Sequence, residues 1–153
     1  MVSAVTGGEG SAPVDTAPVA ADLVELLTAT SRRVSRAVAA ALAEDGATLD
    51  GYRVLRCLVA EPGRTMGQLV AALHLPGPTA TRVVDSLVDA ALVYRLPDPA
   101  DRRRVVVHPS AVGRGRLARW EALVAAQETA FAEQIGAERA AALRSVLADL
   151  GGV

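Results

Sequence analysis

The sequence predicts a mainly helical α+β domain with one small β-hairpin. Three observations carry that expectation. Apolar residues recur at helical spacing through most of the chain beyond residue 21. Two β-prone runs, Leu92 to Leu96 and Arg104 to His108, flank a loop rich in Pro and Asp. The chain is 51% hydrophobic but only 3% aromatic, so its core must be Leu, Val and Ala packed between helices. At 153 residues it fits one domain, or one domain with an oligomerisation extension.

Residues 1–20 are mostly Gly, Ala, Ser, Pro, Val and Thr with few large side chains, and read as a flexible tail. A first helix is expected from Asp22, with Leu23, Leu26, Leu27, Thr30, Val34, Val38, Ala41 and Leu42 on one stripe and Gly46 at its end. A second starts near Thr48 or Asp50, either of which could cap it, and stops at Pro62-Gly63. Thr65-Met66-Gly67-Gln68 matches a capping box, and the short helix behind it packs Leu69, Val70 and Leu73. His74-Leu75-Pro76-Gly77 makes a turn, and a fourth helix opens at Pro78-Thr79. That helix turns Ala80, Val83, Val84, Leu87 and Val88 inward and leaves Thr79, Arg82, Ser86 and Asp89 outside. After the hairpin, Ser110 can cap a long helix carrying Leu117, Trp120, Leu123, Val124, Phe131 and Ile135, which Gly136 breaks. A last helix offers Leu143, Val146, Leu147 and Leu150.

A capped short helix, a tight turn, a second amphipathic helix and a hairpin thus follow one another without a gap. Helix-turn-helix alone is a weak signal, but followed at once by a basic hairpin it is a winged helix. The hairpin carries Arg102, Arg103 and Arg104 where its loop re-enters the second strand. Guanidinium groups there add nothing to a core and suit a phosphate backbone or a minor groove. A solvated surface turn is the bland alternative.

The net charge of −1 hides an asymmetry. Residues 1–61 carry five Arg against eight acids, residues 62–119 nine Arg against four acids, and residues 120–153 two Arg against five acids. Every basic residue is Arg. Net positive charge is confined to the middle of the chain, around the hairpin, the pattern of a nucleic-acid reader attached to a separate scaffold. The outer helices cannot all bury their stripes against so small a core, which predicts a second copy of the chain as partner.

The stretches Tyr52–Leu58, Thr65–Leu69, Thr79–Leu87, Asp101–Val107 and Glu138–Leu143 together resemble the multiple-antibiotic-resistance regulator (MarR) family of transcription factors. The resemblance covers roughly residues 22–150. Its most specific element is the wing's Asp-x-Arg, here Asp101 and Arg103, in which the acid orients an arginine that enters the minor groove. It implies a homodimer with interlocked terminal helices, a pseudo-palindromic operator in double-stranded DNA, and release by a small-molecule effector bound between the dimerising and DNA-binding parts. The expected division is a tail over 1–20 and one domain over 21–153. Within that domain, a winged-helix lobe spans 48–109, with dimerisation helices over 21–45 and 110–150. Pro78, Ala91 and Pro109 depart from the family, which favours a small polar residue, a Gly and a Leu at those positions.

The DNA-contacting candidates are therefore Thr79, Thr81, Arg82 and Ser86 on the fourth helix, with Asp101, Arg102, Arg103 and Arg104 on the wing. Arg82 can pair with a guanine edge, or instead bridge to Asp85 or Ser86. Tyr52, His74 and Trp120 are candidates for an effector crevice, or simply core and interface residues. Cys57 reads as a small buried hydrophobe, and a lone cysteine fits a reducing cytoplasm. No cofactor is expected, and two distant histidines with one cysteine have no metal-ligand spacing. No apolar run reaches the roughly 18 residues of a membrane span, and no basic-then-apolar leader is present. Enzyme motifs such as Gly-x-Ser-x-Gly or a phosphate-binding glycine loop are missing. The expected function is a homodimeric DNA-binding repressor; the alternative is a winged helix used as a protein-interaction module without sequence-specific DNA binding.

Overall fold

The computed structural model describes residues 22–151. The tail expected over 1–20 lies outside the described residues. Local hydrogen bonding sets most element boundaries. Helix α1 (Leu23–Ala43) begins where the Asp22 carboxylate accepts the Glu25 N–H at 2.8 Å. It closes in a Schellman motif: Ala47 N–H donates to Leu42 and Gly46 N–H to Ala43, with Gly46 at φ 72°. Of the two cap candidates for α2 (Leu49–Ala60), the structure uses Thr48, whose hydroxyl accepts the Gly51 N–H at 3.0 Å. The capping box opens α3 (Met66–Leu73) as expected, with both reciprocal bonds between Thr65 and Gln68 present.

His74 takes a left-handed conformation at the end of α3, and α4 (Gly77–Asp89) starts without a side-chain cap, with Pro78 in its first turn. The end of α4 repeats the Schellman closure of α1: Ala91 N–H donates to Val88 and Leu92 N–H to Leu87. The left-handed position is held here by Ala91, at φ 56°, so the turn survives the missing glycine. Strands β2 (Val93–Pro97) and β3 (Val105–Pro109) form the hairpin, displaced by one residue from the sequence expectation. The displacement has a local cause, since Leu92 is tied into the helix closure and cannot start the strand.

The expected hairpin is present and is joined by a third short strand, giving a three-stranded antiparallel sheet in the order β1-β3-β2. Strand β1 is only Arg64–Thr65, paired with Val107 and Val106. Gly63, at φ 81°, turns the chain out of the Pro62 corner and donates its N–H to Val107 at 3.0 Å. Two residues are too few to show a period in sequence.

Ser110 opens α5 (Ala111–Ile135): its hydroxyl accepts the Gly113 N–H and donates to the Ala91 carbonyl. The first turn of α5 is thereby fastened to the turn that leads into the wing. Gly113 is required at this crossing, because a Cβ there would lie 2.0 Å from the Leu92 carbonyl oxygen. Gly136, at φ 90°, separates α5 from α6 (Ala137–Gly151).

The core sits in the lobe formed by α2, α3, α4 and the sheet, closed by the C-terminal end of α1 and the first half of α5. Leu42, Val54, Leu55, Leu58, Leu69, Val84 and Val107 are fully buried in it. Cys57 is half-buried and packs against this cluster, a little more exposed than expected. The outer helices differ: Leu23, Val24, Leu26 and Leu27 of α1 and Val146, Leu147 and Leu150 of α6 are exposed. A large aliphatic side chain gains about 1.5–3 kcal/mol on full burial, so this surface has much to gain from cover. Among the described residues no helix is long and apolar enough to cross a membrane.

Candidate nucleic-acid interface

The start of α4 has no side-chain cap, and Thr79 and Thr81 in its first turns are short and polar. Thr81 and Ser86 are exposed and Thr79 is half-buried. The Thr81 hydroxyl donates back to the Gly77 carbonyl at 3.1 Å, which leaves its lone pairs facing outward to accept. Arg82 is exposed, and neither intramolecular bridge open to it forms: Asp85 pairs instead with Arg95 of β2 at 2.6 Å. That pair ties α4 to the wing's first strand across ten residues.

The wing turn is built by its aspartates. Asp98 N–H donates to the Arg104 carbonyl, Asp101 N–H to the Asp98 carbonyl, and the Asp98 carboxylate accepts the Ala100 N–H. Asp101 Oδ1 accepts the backbone N–H of Arg103 at 3.1 Å, while its Oδ2 pairs with Arg104 Nε at 3.4 Å. The acid therefore orients Arg103 through the main chain, and the guanidinium it holds belongs to Arg104. All three arginines are exposed. Among the described residues the guanidinium groups of Arg82, Arg102 and Arg103 have no hydrogen bond or ion pair with the protein.

The effector candidates are not brought together. Trp120 is 3% exposed and borders a cavity of about 370 Å³ between α4, the α1–α2 turn and α5. Thr79, Arg82, Ser86, Thr48, Leu87 and Leu92 share its lining. Tyr52 and His74 do not border it. Tyr52 is buried, its hydroxyl accepting from Arg56, whose guanidinium lies 5.6 Å from the ring centre. His74 is exposed on its left-handed turn.

Sequence reasoning missed the most connected polar side chain of this region. Asp45, in the α1–α2 turn, accepts from Arg116 Nη1 at 3.0 Å and from the Trp120 indole N–H at 2.9 Å, and pairs with Arg119 Nε at 2.8 Å. Its side chain is 9% exposed. The bonded Arg116 guanidinium, with the Trp120 N–H and the charge of Arg119, holds the Asp45 carboxyl below the usual aspartate range against the cost of its burial. No local signal could have found it, because its partners lie 71 to 75 residues away.

Residues 45–104 match the model of the MarR family. A putative transcriptional regulatory protein for the hcr operon of Thauera aromatica is 31% identical over 96 residues, 62% of this chain; the match spans 58% of that relative's length. Among solved structures, the transcriptional repressor CouR bound to a 23-mer DNA duplex is similar at 30% identity and a TM-score of 0.78, covering 84% of this chain and 92% of that one. CouR from Rhodococcus jostii RHA1 bound to p-coumaroyl-CoA is similar at 27% identity and a TM-score of 0.73, covering 84% of this chain and 91% of that one.

Proposed function

The chain belongs to the MarR family of DNA-binding transcriptional regulators, and from that premise we propose that it is a homodimeric, cytoplasmic repressor reading a pseudo-palindromic operator. Helix α4 enters the major groove, where Arg82 reads a base edge and Thr79, Thr81 and Ser86 contact bases or phosphates. The wing enters the minor groove with Arg103, while Arg102 and Arg104 neutralise phosphates. One observation carries the reading: Arg82, Arg102 and Arg103 are exposed and, among the described residues, unpaired, on elements joined by the Asp85–Arg95 pair.

The exposed leucines and valines of α1 and α6 support the dimer, since a second copy would cover them. A small-molecule effector fits between the lobe and the outer helices, in the cavity that Trp120 and Arg82 border. A coupling of about 1–3 kcal/mol between effector and operator would be enough to switch a promoter. Such an effector would act by moving α4, on which one wall of the cavity is built.

Exposed Tyr94, Leu96 and Val105 on the hairpin favour the second reading, a protein-docking winged helix. Salt separates the two. Fluorescence anisotropy with DNA selected from genomic fragments should show affinity falling by orders of magnitude between about 50 and 200 mM salt. Salt-independent binding, or none at low salt, would leave the docking role.

A further inference from the structure

The described chain passes between the lobe and the outer helices at two places. One is the α1–α2 turn, residues 44–48. The other is α5, whose first half buries Gly113, Leu117 and Trp120 against the lobe. Its second half lines a separate cavity of about 620 Å³ with α1 and α6, through Gln127, Phe131 and Gln134. Asp45 stands where these two crossings meet. It does not cap α2, which Thr48 does, and both carboxylate oxygens are committed to α5 at three points between Arg116 and Trp120.

We infer that Asp45 is a positioning residue that fixes the angle between the lobe and the outer helices, and through it the half-site spacing that the dimer accepts. This rests on the dimeric, DNA-reading function proposed above. The two lobes of such a dimer must present their α4 helices about one helical turn of DNA apart, roughly 34–36 Å. Any rotation of a lobe about its two crossings changes that separation. A single bond at the junction would still allow rocking. A carboxylate that grips Arg116, Arg119 and the Trp120 indole spans one full turn of α5 and leaves no free axis. The indole carries the constraint toward α4 through packing, because Trp120 is buried in one core cluster with Ala80, Val84 and Leu87 of that helix.

Two readouts test this, and neither is moved by lost stability alone. The first uses the operator recovered from genomic fragments, together with versions carrying one base pair more or fewer between half-sites. Each step rotates a half-site by roughly 35° about the duplex. The native protein should discriminate against both altered spacings by about tenfold. Asp45→Ala should bind the recovered operator severalfold more weakly and lose most of that discrimination, with unchanged affinity for a duplex holding one half-site. Asp45→Asn, which can still accept the indole N–H, should fall between. Trp120→Phe keeps an aromatic side chain, though a smaller one, and removes that N–H, and it carries the test if the alanine variant fails to fold. Native spacing discrimination in folded variants overturns the proposal.

The second readout needs no DNA. In a Cys57→Ser background, spin labels at Asp89→Cys on α4 and Glu133→Cys on α5 report the lobe-to-helix distance by pulsed electron resonance, with labelled chains diluted in unlabelled protein. Adding Asp45→Ala should broaden that distribution, and an unchanged distribution overturns the proposal. If the native protein ignores DNA but the distribution still broadens, the clamp stands and the DNA-reading function falls.

Discussion

Asp85 and Arg95 stand ten residues apart in sequence and 2.6 Å apart in space, the carboxylate on helix α4 and the guanidinium on the wing's first strand. Their side chains are 51% and 34% exposed, so solvent screening leaves the pair about 0–1 kcal/mol of stability. Its consequence is geometric: it spends Asp85 on the wing, leaves Arg82 without that partner, and holds in one register the two elements proposed to contact DNA. Arg95→Ala should therefore shift the melting temperature little while weakening operator binding severalfold. Parallel thermal melts and anisotropy titrations check this, and a large stability loss with unchanged DNA affinity would reverse the assignment.

The wing arginines differ in how they are held. Arg103→Ala should cost about 1–3 kcal/mol of operator affinity without affecting folding. Asp101→Ala should weaken binding too, because the wing turn loses the oxygen that accepts the Arg103 N–H, worth about 1 kcal/mol. Asp101→Asn keeps an acceptor and should lose less. Arg82→Ala should instead relax preference at one base position, seen by comparing operator variants. A uniform loss across sequences would make Arg82 a phosphate contact.

Much of this was legible because the signals are local. Asp22, Thr48, Thr65 with Gln68, and Ser110 each bond within three residues of themselves, so caps and helix starts follow from short sequence windows. The Arg-tipped loop was legible for the same reason. Long-range pairing was not. Nothing near Asp45 announces Arg116 or Trp120, and Asp101 next to Arg103 suggests a side-chain pair that the turn geometry gives to Arg104. Strand β1 escaped notice because it exists only by pairing with β3, over forty residues on.

The two Schellman closures allow a paired test of backbone strain. Gly46 and Ala91 occupy the same left-handed position, at φ 72° and 56°. A side chain there costs about 1–2 kcal/mol of backbone strain, offset in part by the greater chain entropy of glycine. Ala91→Gly should therefore stabilise the protein by about 0.5–1 kcal/mol, and Gly46→Ala should destabilise it by a similar amount. A Cβ at Gly46 meets nothing within 4 Å, so its penalty would be purely conformational. Each change corresponds to a melting shift of about 2–4 °C, opposite in sign between the two variants.

Asp45 also predicts how stability responds to acid. Arg116, Arg119 and the Trp120 N–H all face its carboxylate, and its pKa in the folded protein lies below the ordinary aspartate value of 3.8. A depressed carboxylate pKa means the unfolded chain takes up a proton first as pH falls. Its contribution is then complete above 3.8, drains as the pH drops through that value, and is gone below the folded pKa. Asp45→Asn removes the titration. The melting difference between native and variant protein should be constant from neutral pH down to about pH 5 and shrink below it. A difference that persisted unchanged at pH 2 would mean the cost comes from packing around the asparagine rather than from the lost charge.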